Sequence, residues 1–254
     1  MKSKQITKRL PVALVATLGL TLANANAAFI IGDILNVDLS LNTTNWTADS
    51  NDYSAGPSGQ GDMWNAIGKD VTAKNLVEAN NTAAVNSFST AITFTQTNNK
   101  GQADNQYYHG GGVASGTSST NNLMNDYHYV VSATAGQYAT YAFNNLDAGT
   151  YELYAYQGGT LYSAPKNNTF TVNGVTKTLA QTSPHSTTVN PSDQGGTWDV
   201  WSVTLASAGS ISIQVGNGNA NEVYVHGFQL AAIPEPSAAL LGGLGFLALL
   251  RRRR

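Results

Sequence analysis

Cysteine is absent from the 254 residues, so no disulfide framework is open to this chain and its fold must rest on burial and backbone hydrogen bonds. Charge is sparse, at 11% of residues, and arginine is missing altogether between Arg9 and Arg251. Eight of the thirteen basic residues stand at the two ends, leaving five lysines in the interior against fifteen acidic residues, all between Asp33 and Glu235. A folded part this acidic lacks the clustered Lys and Arg that phosphate contacts draw on, which argues against nucleic acid as its partner. Catalytic signatures are missing too. There is no G-x-S-x-G elbow, no G-x-x-x-x-G-K-[ST] loop and no H-E-x-x-H pair. His109, His128, His185 and His226 have no pair within five positions, so a helix-borne metal pair is excluded. What remains is 42% hydrophobic at a mean hydropathy of -0.18, enough for a core and unlike a polytopic membrane protein or a disordered chain.

The ends read as addresses. Lys2, Lys4, Lys8 and Arg9 precede an apolar run over 10–23, and small residues follow at Ala25, Ala27 and Ala28. That order is a secretory signal peptide, expected to be read by the Sec export machinery. The Ala25-Asn26-Ala27 triplet places cleavage before Ala28, with a site after Ala25 as the second choice. The run is shorter than the ~20 residues of a spanning helix, which disfavours an uncleaved anchor.

At the other end, Pro234-Glu235-Pro236 leads into the apolar residues 237–250 and then Arg251, Arg252, Arg253 and Arg254. Proline lacks a backbone donor and holds its predecessor extended, so the connection stays non-helical and open to a processing enzyme. The fourteen apolar residues would rise roughly 21 Å as a helix, against a hydrocarbon core of about 30 Å. Such a segment spans only if the bilayer thins or flanking residues are drawn in, with the arginines held on the cytoplasmic side. The three-part tail resembles the PEP-CTERM sorting signal of exported Gram-negative proteins, matched by Pro234, Glu235 and Pro236, the apolar helix and the four arginines. The resemblance covers the last 21 residues. It implies recognition by an exosortase, transient membrane insertion through the C-terminal helix, and delivery to the cell surface or an extracellular matrix, commonly with exopolysaccharide.

The domain organisation expected is therefore a signal peptide at 1–27, an exported domain at 28–232 and a sorting signal at 233–254. Within the exported domain, helical periodicity is scarce and alternation plentiful, as in Val37-Asp38-Leu39-Ser40-Leu41, Ala139-Thr140-Tyr141-Ala142-Phe143, and over 151–156, 198–205, 210–215 and 223–230. Period-two runs of Val, Ile, Thr, Tyr and Phe between turn residues signify half-buried antiparallel strands. Asn173-Gly174 marks a two-residue hairpin. Two further hairpins are expected, joining 138–143 to 151–156 and 198–205 to 210–215. Short helices are admitted at 71–79 and 121–127, and no motif stands out between Asn36 and Val130. The fold class expected is all-β: an antiparallel β-sandwich, jelly-roll-like, with a short C-terminal hydrophobic helix. The Leu146-x-Ala148-Gly149-Thr150-Tyr151 turn, Phe170-Thr171-Val172-Asn173-Gly174, and the strand from Val223 to Leu230 make the second half similar to galactose-binding-like and carbohydrate-binding-module sandwiches.

Aromatics supply the binding hint. Four Trp and twelve Tyr offer rigid faces to sugar C–H groups, and Tyr107, Tyr108 and His109 before three glycines, with Trp64, are the candidate glycan contacts. Each ring also has a core role open to it, since Tyr and Trp fill sandwich interiors. His226, alternating with Tyr224 and Phe228, reads as a core or rim residue. No cofactor is expected. A structural calcium is the ion such Asp- and Asn-rich loops admit, although Asp49-Ser50-Asn51-Asp52 meets Tyr53 where a third oxygen ligand belongs. The carboxylates Glu152, Asp193, Asp199 and Glu222 are the pool for a glycosidase pair, with Glu152 on the outward face of its strand. The first reading is a non-catalytic, exosortase-sorted surface or matrix protein that interacts with exopolysaccharide. A structural or adhesive protein without sugar specificity is the alternative, and a secreted glycan hydrolase the third.

Overall fold

Alternation in the sequence becomes alternation in burial in the computed structural model, which describes residues 33–39, 44–48, 55–57, 62–68, 71–98, 123, 128–132, 138–157, 167–180, 192, 194–217 and 221–233. One six-stranded sheet has the order β11 (Trp198–Leu205), β8 (Gly149–Tyr156), β14 (Gly227–Ile233), β1 (Ile34–Leu39), β3 (Met63–Ile67) and β2 (Trp46–Thr47). The second has the order β10 (Val175–Ala180), β9 (Asn167–Val172), β12 (Gly209–Asn217), β7 (Tyr138–Leu146), β5 (Thr93–Asn98) and β4 (Ala73–Asn75). A two-stranded ribbon pairs β6 (His128–Ser132) with β13 (Asn221–Val225). Every described pair of strands is antiparallel except β1 with β3.

Inward residues of both sheets meet in one core. Leu35, Val37 and Leu39 of β1, Tyr151, Leu153 and Ala155 of β8, and Phe228 and Leu230 of β14 face Phe94, Tyr141, Phe143, Phe170, Ile211 and Ile213 of the second sheet. Phe94 is the hinge pin of that packing: its ring lies 5.1 Å from Phe143 edge-on, 6.0 Å from Tyr141 and 5.9 Å from Phe228 across the sheets. The two open sides are closed by lysines, scarce as they are. Lys74 of β4 donates to the carbonyl of Ala66 on β3 (2.7 Å) and to Asn45 Oδ1 (2.6 Å), and burial lowers its pKa. On the other side Lys177 of β10 reaches across to Asp199 (3.1 Å) and the Val200 carbonyl of β11, over the Trp201 ring.

The Asn173-Gly174 hairpin forms as expected, with positive φ at both residues (44° and 86°). The other two expected hairpins are not hairpins. β7 and β8 lie in different sheets, as do β11 and β12, so each tight connection turns a corner between layers. Turn residues report a reversal of the chain and not which strand becomes the neighbour. The strand expected over 223–230 is broken at His226, which is buried between β13 and β14; its N–H bonds the Tyr156 carbonyl and its carbonyl accepts from Leu39.

Nor is 71–79 a helix. Residues 76–92 form a three-sided coil in which Leu76, Ala84 and Ile92, eight residues apart, bond one another in a closed ring (Leu76 N to Ile92 O 3.0 Å, Ala84 N to Leu76 O 3.1 Å, Ile92 N to Ala84 O 2.9 Å). Between these corners stand two turns of one design, Glu78 to Thr82 and Asn86 to Thr90. Each closes with two backbone bonds, and its fourth residue takes the left-handed conformation (Asn81 φ 65°, Ser89 φ 60°). The buried corners join the main core, so the coil caps one end of the sandwich. Of 121–127 only Leu123 is described, and it is buried on the outer side of the first sheet against Gly227.

The registers sort the connections by end. The β7–β8, β9–β10 and β11–β12 turns, the coil, and the chain's entry and exit at Asp33 and Ile233 share one end. The connections after β5, β6, β8, β10 and β12 all leave from the other.

Candidate functional site

The outer face of the first sheet carries what the inner core does not use. On β8 and β11 the outward residues form four cross-strand rows: Thr150 with Thr204, Glu152 with Ser202, Tyr154 with Val200, and Tyr156 with Trp198. Six residue-to-residue steps, from Thr150 to Tyr156, make this strip about 20 Å long. It grades from exposed hydroxyls, where the two threonine Oγ1 atoms lie 3.3 Å apart, to buried aromatics, Trp198 being 8% exposed. β11 is the sheet's edge strand, so the strip borders open solvent along its length.

Tyr154 is its central ring. It is half-buried, tilted 30° to Trp198 at a centroid distance of 6.3 Å, and its hydroxyl donates to Glu152 Oε2 (2.8 Å). Burial first, then the Glu152 hydrogen bond and charge, push the Tyr154 pKa up to about 12, so the phenol keeps its proton and the carboxylate keeps its donor. An aromatic face with a carboxylate and hydroxyls beside it in fixed geometry can stack on a sugar ring and accept from its hydroxyls.

Beside the strip, on the same face of the sheet, a buried polar ladder fixes the loop that overlies it there. Asn36 donates to the Met63 carbonyl (3.0 Å) and accepts from Gln229 (2.8 Å); Gln229 accepts from the Tyr156 hydroxyl, which accepts from Gly56 N–H (3.0 Å). Gly56 has no room for a side chain, because a Cβ there would meet Gln229 at 2.3 Å and Tyr154 at 3.2 Å. A second apolar cluster of Ala48, Trp64, Leu123, Tyr156 and Trp198 packs around the ladder. Asn36 and Gln229 occupy positions that alternation assigns to solvent, and their burial is the feature that a sequence reading has no means to see.

The site residues taken from sequence fall out unevenly. Trp64 is 2% exposed within that second cluster, so in this structure it offers no open face to a glycan. Tyr107, Tyr108 and His109 lie outside the described residues, as do Asp49 and Asp52, Ala25, Ala27 and Ala28, and the whole of 234–254. Tyr154 and Ser202 were missed; the usable signal was the pairing of two outward, alternating strands. Among the carboxylates, Glu152 lies on the outer face as its alternation indicated. Asp199 is an odd number of residues from Ser202, Glu152's partner, and so belongs to the opposite face, where Lys177 and Gln194 hold it. These two cannot flank one glycosidic bond. Among the described residues no group of three His, Asp or Glu side chains is placed to hold a metal ion, and no helix is long and apolar enough to cross a membrane.

The fold defines the class, a two-sheet all-β sandwich. No protein-family model matches the sequence, and no curated protein matches it. Among solved structures the chain is similar to the CBM35 of Cellvibrio japonicus Abf62, at 13% identity and TM-score 0.31, covering 56% of this chain and 94% of that one. It is also similar to a family 35 carbohydrate-binding module from an environmental isolate, at 17% identity and TM-score 0.27, over 42% and 80% of the two chains. The ANXUR2 extracellular domain of Arabidopsis thaliana aligns over 80% of this chain at 14% identity and TM-score 0.39, and this chain spans about half (49%) of its length.

Proposed function

We propose that the protein is an exported, non-catalytic surface or matrix component whose sandwich binds extracellular polysaccharide along the β8–β11 strip. The observation that carries this reading is Tyr154, a ring held between Trp198 and Glu152 on an outward sheet face, bordered by Ser202 and the threonine pair. The opposite facing of Glu152 and Asp199 favours binding over hydrolysis. In gels containing the producer's own polysaccharide, the wild-type protein should be retarded. Tyr154→Ala should weaken binding roughly tenfold, the equivalent of one aromatic stacking contact. Glu152→Gln, which keeps the shape and changes the charge, should weaken it less. Equal retardation of all three would sink the strip as the binding face; no retardation of the wild type would favour the structural or adhesive reading, and turnover of the glycan the hydrolase.

The tail supports the route. Signal peptide cleavage before Ala28 and a PEP-CTERM signal at 233–254 would bring the protein through the inner membrane to an exosortase and on to the surface of a Gram-negative cell. Changing Pro234, Glu235 and Pro236 together to alanine removes the motif and lets helix extend upstream. The uncleaved chain should then accumulate in the inner membrane with loss of the surface form. Normal surface delivery of that variant would defeat the sorting reading.

A further inference from the structure

Among the described residues two large apolar side chains stand exposed, Phe88 (79%) and Val175 (57%); Phe88 lies at the end of the sandwich where the chain enters and leaves, and Val175 follows the hairpin turn that points toward that end. Phe88 occupies the apex of the second coil turn, and that turn is rigidly braced. Asn86 Oδ1 accepts from Phe88 N and Thr90 N, both at 3.0 Å, and the Asp147 carboxylate accepts from Ser87 N (2.7 Å) and Ser87 Oγ (2.6 Å). Asn145 ties down the flank through the Ala91 carbonyl (2.8 Å). At the same apex of the first turn stands Asn80, which caps Thr82 N with its own side chain (2.9 Å). The turn design therefore accepts a polar residue there, and the chain places a phenylalanine on the repeat that projects beside the β7–β8 corner.

What covers Phe88 follows from where the chain goes next. β14 ends at Ile233 at this same end, and the apolar run begins at Ser237, four residues on. Four extended residues reach at most about 14 Å, and two of those between are prolines. With 237–250 inserted in a bilayer, this end of the sandwich is drawn to the headgroups and the long-loop end points away. The geometry points to a lipid seat: Phe88 inserts at the membrane interface while the tail is attached, and Pro234-Glu235-Pro236 is thereby held at the membrane surface. Asp33 and Asp147 share this end, so the surface it suits is zwitterionic and not anionic. This inference rests on the tail reading above.

The absence of cysteine makes the test direct, because Phe88→Cys creates a single labelling site. The full-length exported protein, labelled there with an environment-sensitive fluorophore, is reconstituted into phosphatidylcholine vesicles carrying nitroxide lipids. Ala180→Cys, exposed at the opposite end as the last residue of β10, is the reference, and both variants are compared with the wild type by thermal melting. The label at position 88 should shift to the blue and be quenched at least about twofold more than that at position 180, as befits a side chain at the headgroup boundary. Val175→Cys, at the other end of β10, provides a second site nearer the membrane and should be quenched more than position 180. A chain that floats with the vesicles but shows equal quenching at 180, 88 and 175 overturns the seat and leaves the tail reading standing. A chain that does not float overturns both.

Discussion

Taking the protein from pH 7 to pH 4.5 should cost it on the order of 3 kcal/mol of unfolding free energy through His128 alone. His128 is 1% exposed on β6, stacked 6.2 Å from Tyr141, with Nε2–H donated to the Ile67 carbonyl at 3.2 Å. Burial, only partly offset by that hydrogen bond, pushes its pKa down to about 3 from 6.5. The unfolded chain therefore takes up a proton below pH 6.5 that the folded chain refuses until about pH 3. Stability from this residue is whole above pH 6.5 and is lost as the pH falls between those values, at about 1.4 kcal/mol per unit. Glu78 acts in the opposite sense: burial raises its pKa, so its folded form favours the proton and loses stability as the pH rises past the ordinary value. Urea unfolding from pH 4 to 7 on wild type and on His128→Phe separates the two. The variant should lose about one proton of slope between pH 4.5 and 6.5. An unchanged slope would mean that His128 is not desolvated.

Phe94→Ala should be the most damaging single truncation, about 4 kcal/mol, because it removes a fully buried ring that touches Tyr141, Phe143 and, across the layers, Phe228. Six residues earlier, Phe88→Ala should change stability by less than about 0.5 kcal/mol, since that ring buries little against the protein. The contrast is a test of the packing and not of residue type. Comparable losses at both positions in equilibrium unfolding would show that the coil does not cap the sandwich as described.

Those two phenylalanines also mark how far the sequence could be read. Strands β7, β8, β11 and β12 were legible because their inward residues alternate without interruption, and Asn173-Gly174 was legible because few other pairs accept two positive φ values. Which strands pair was not, because a tight turn such as Asp147-Ala148 serves a hairpin or an inter-sheet corner equally well. The coil at 76–92 was hidden because its repeat is longer than either regular period. Residues 71–79 lack the strict alternation of a strand, while the informative signal was the eight-residue repeat of Val77, Thr82 and Ala83 in Val85, Thr90 and Ala91. The candidate site was legible only in kind. Abundant Tyr and Trp pointed to a ring on an outward face, but Trp64 is buried in the second apolar cluster and Tyr154, beside Gly56, stays half-buried, a choice made by the fold of distant segments. Asn36 and Gln229 show the converse, polar residues in outward register that a loop then buries.

The most direct measurement of the strip's role is carboxyl footprinting of the protein with and without polysaccharide, read by mass spectrometry. Glu152 lies on the outer face beside Tyr154, and Asp199, two positions along the paired strand from Trp201, serves as the opposite-facing internal reference. Binding along β8 and β11 should suppress labelling of Glu152 and leave Asp199 as it was. A complex that forms with Glu152 labelled as freely as before would place the polysaccharide elsewhere on the protein and contradict the account.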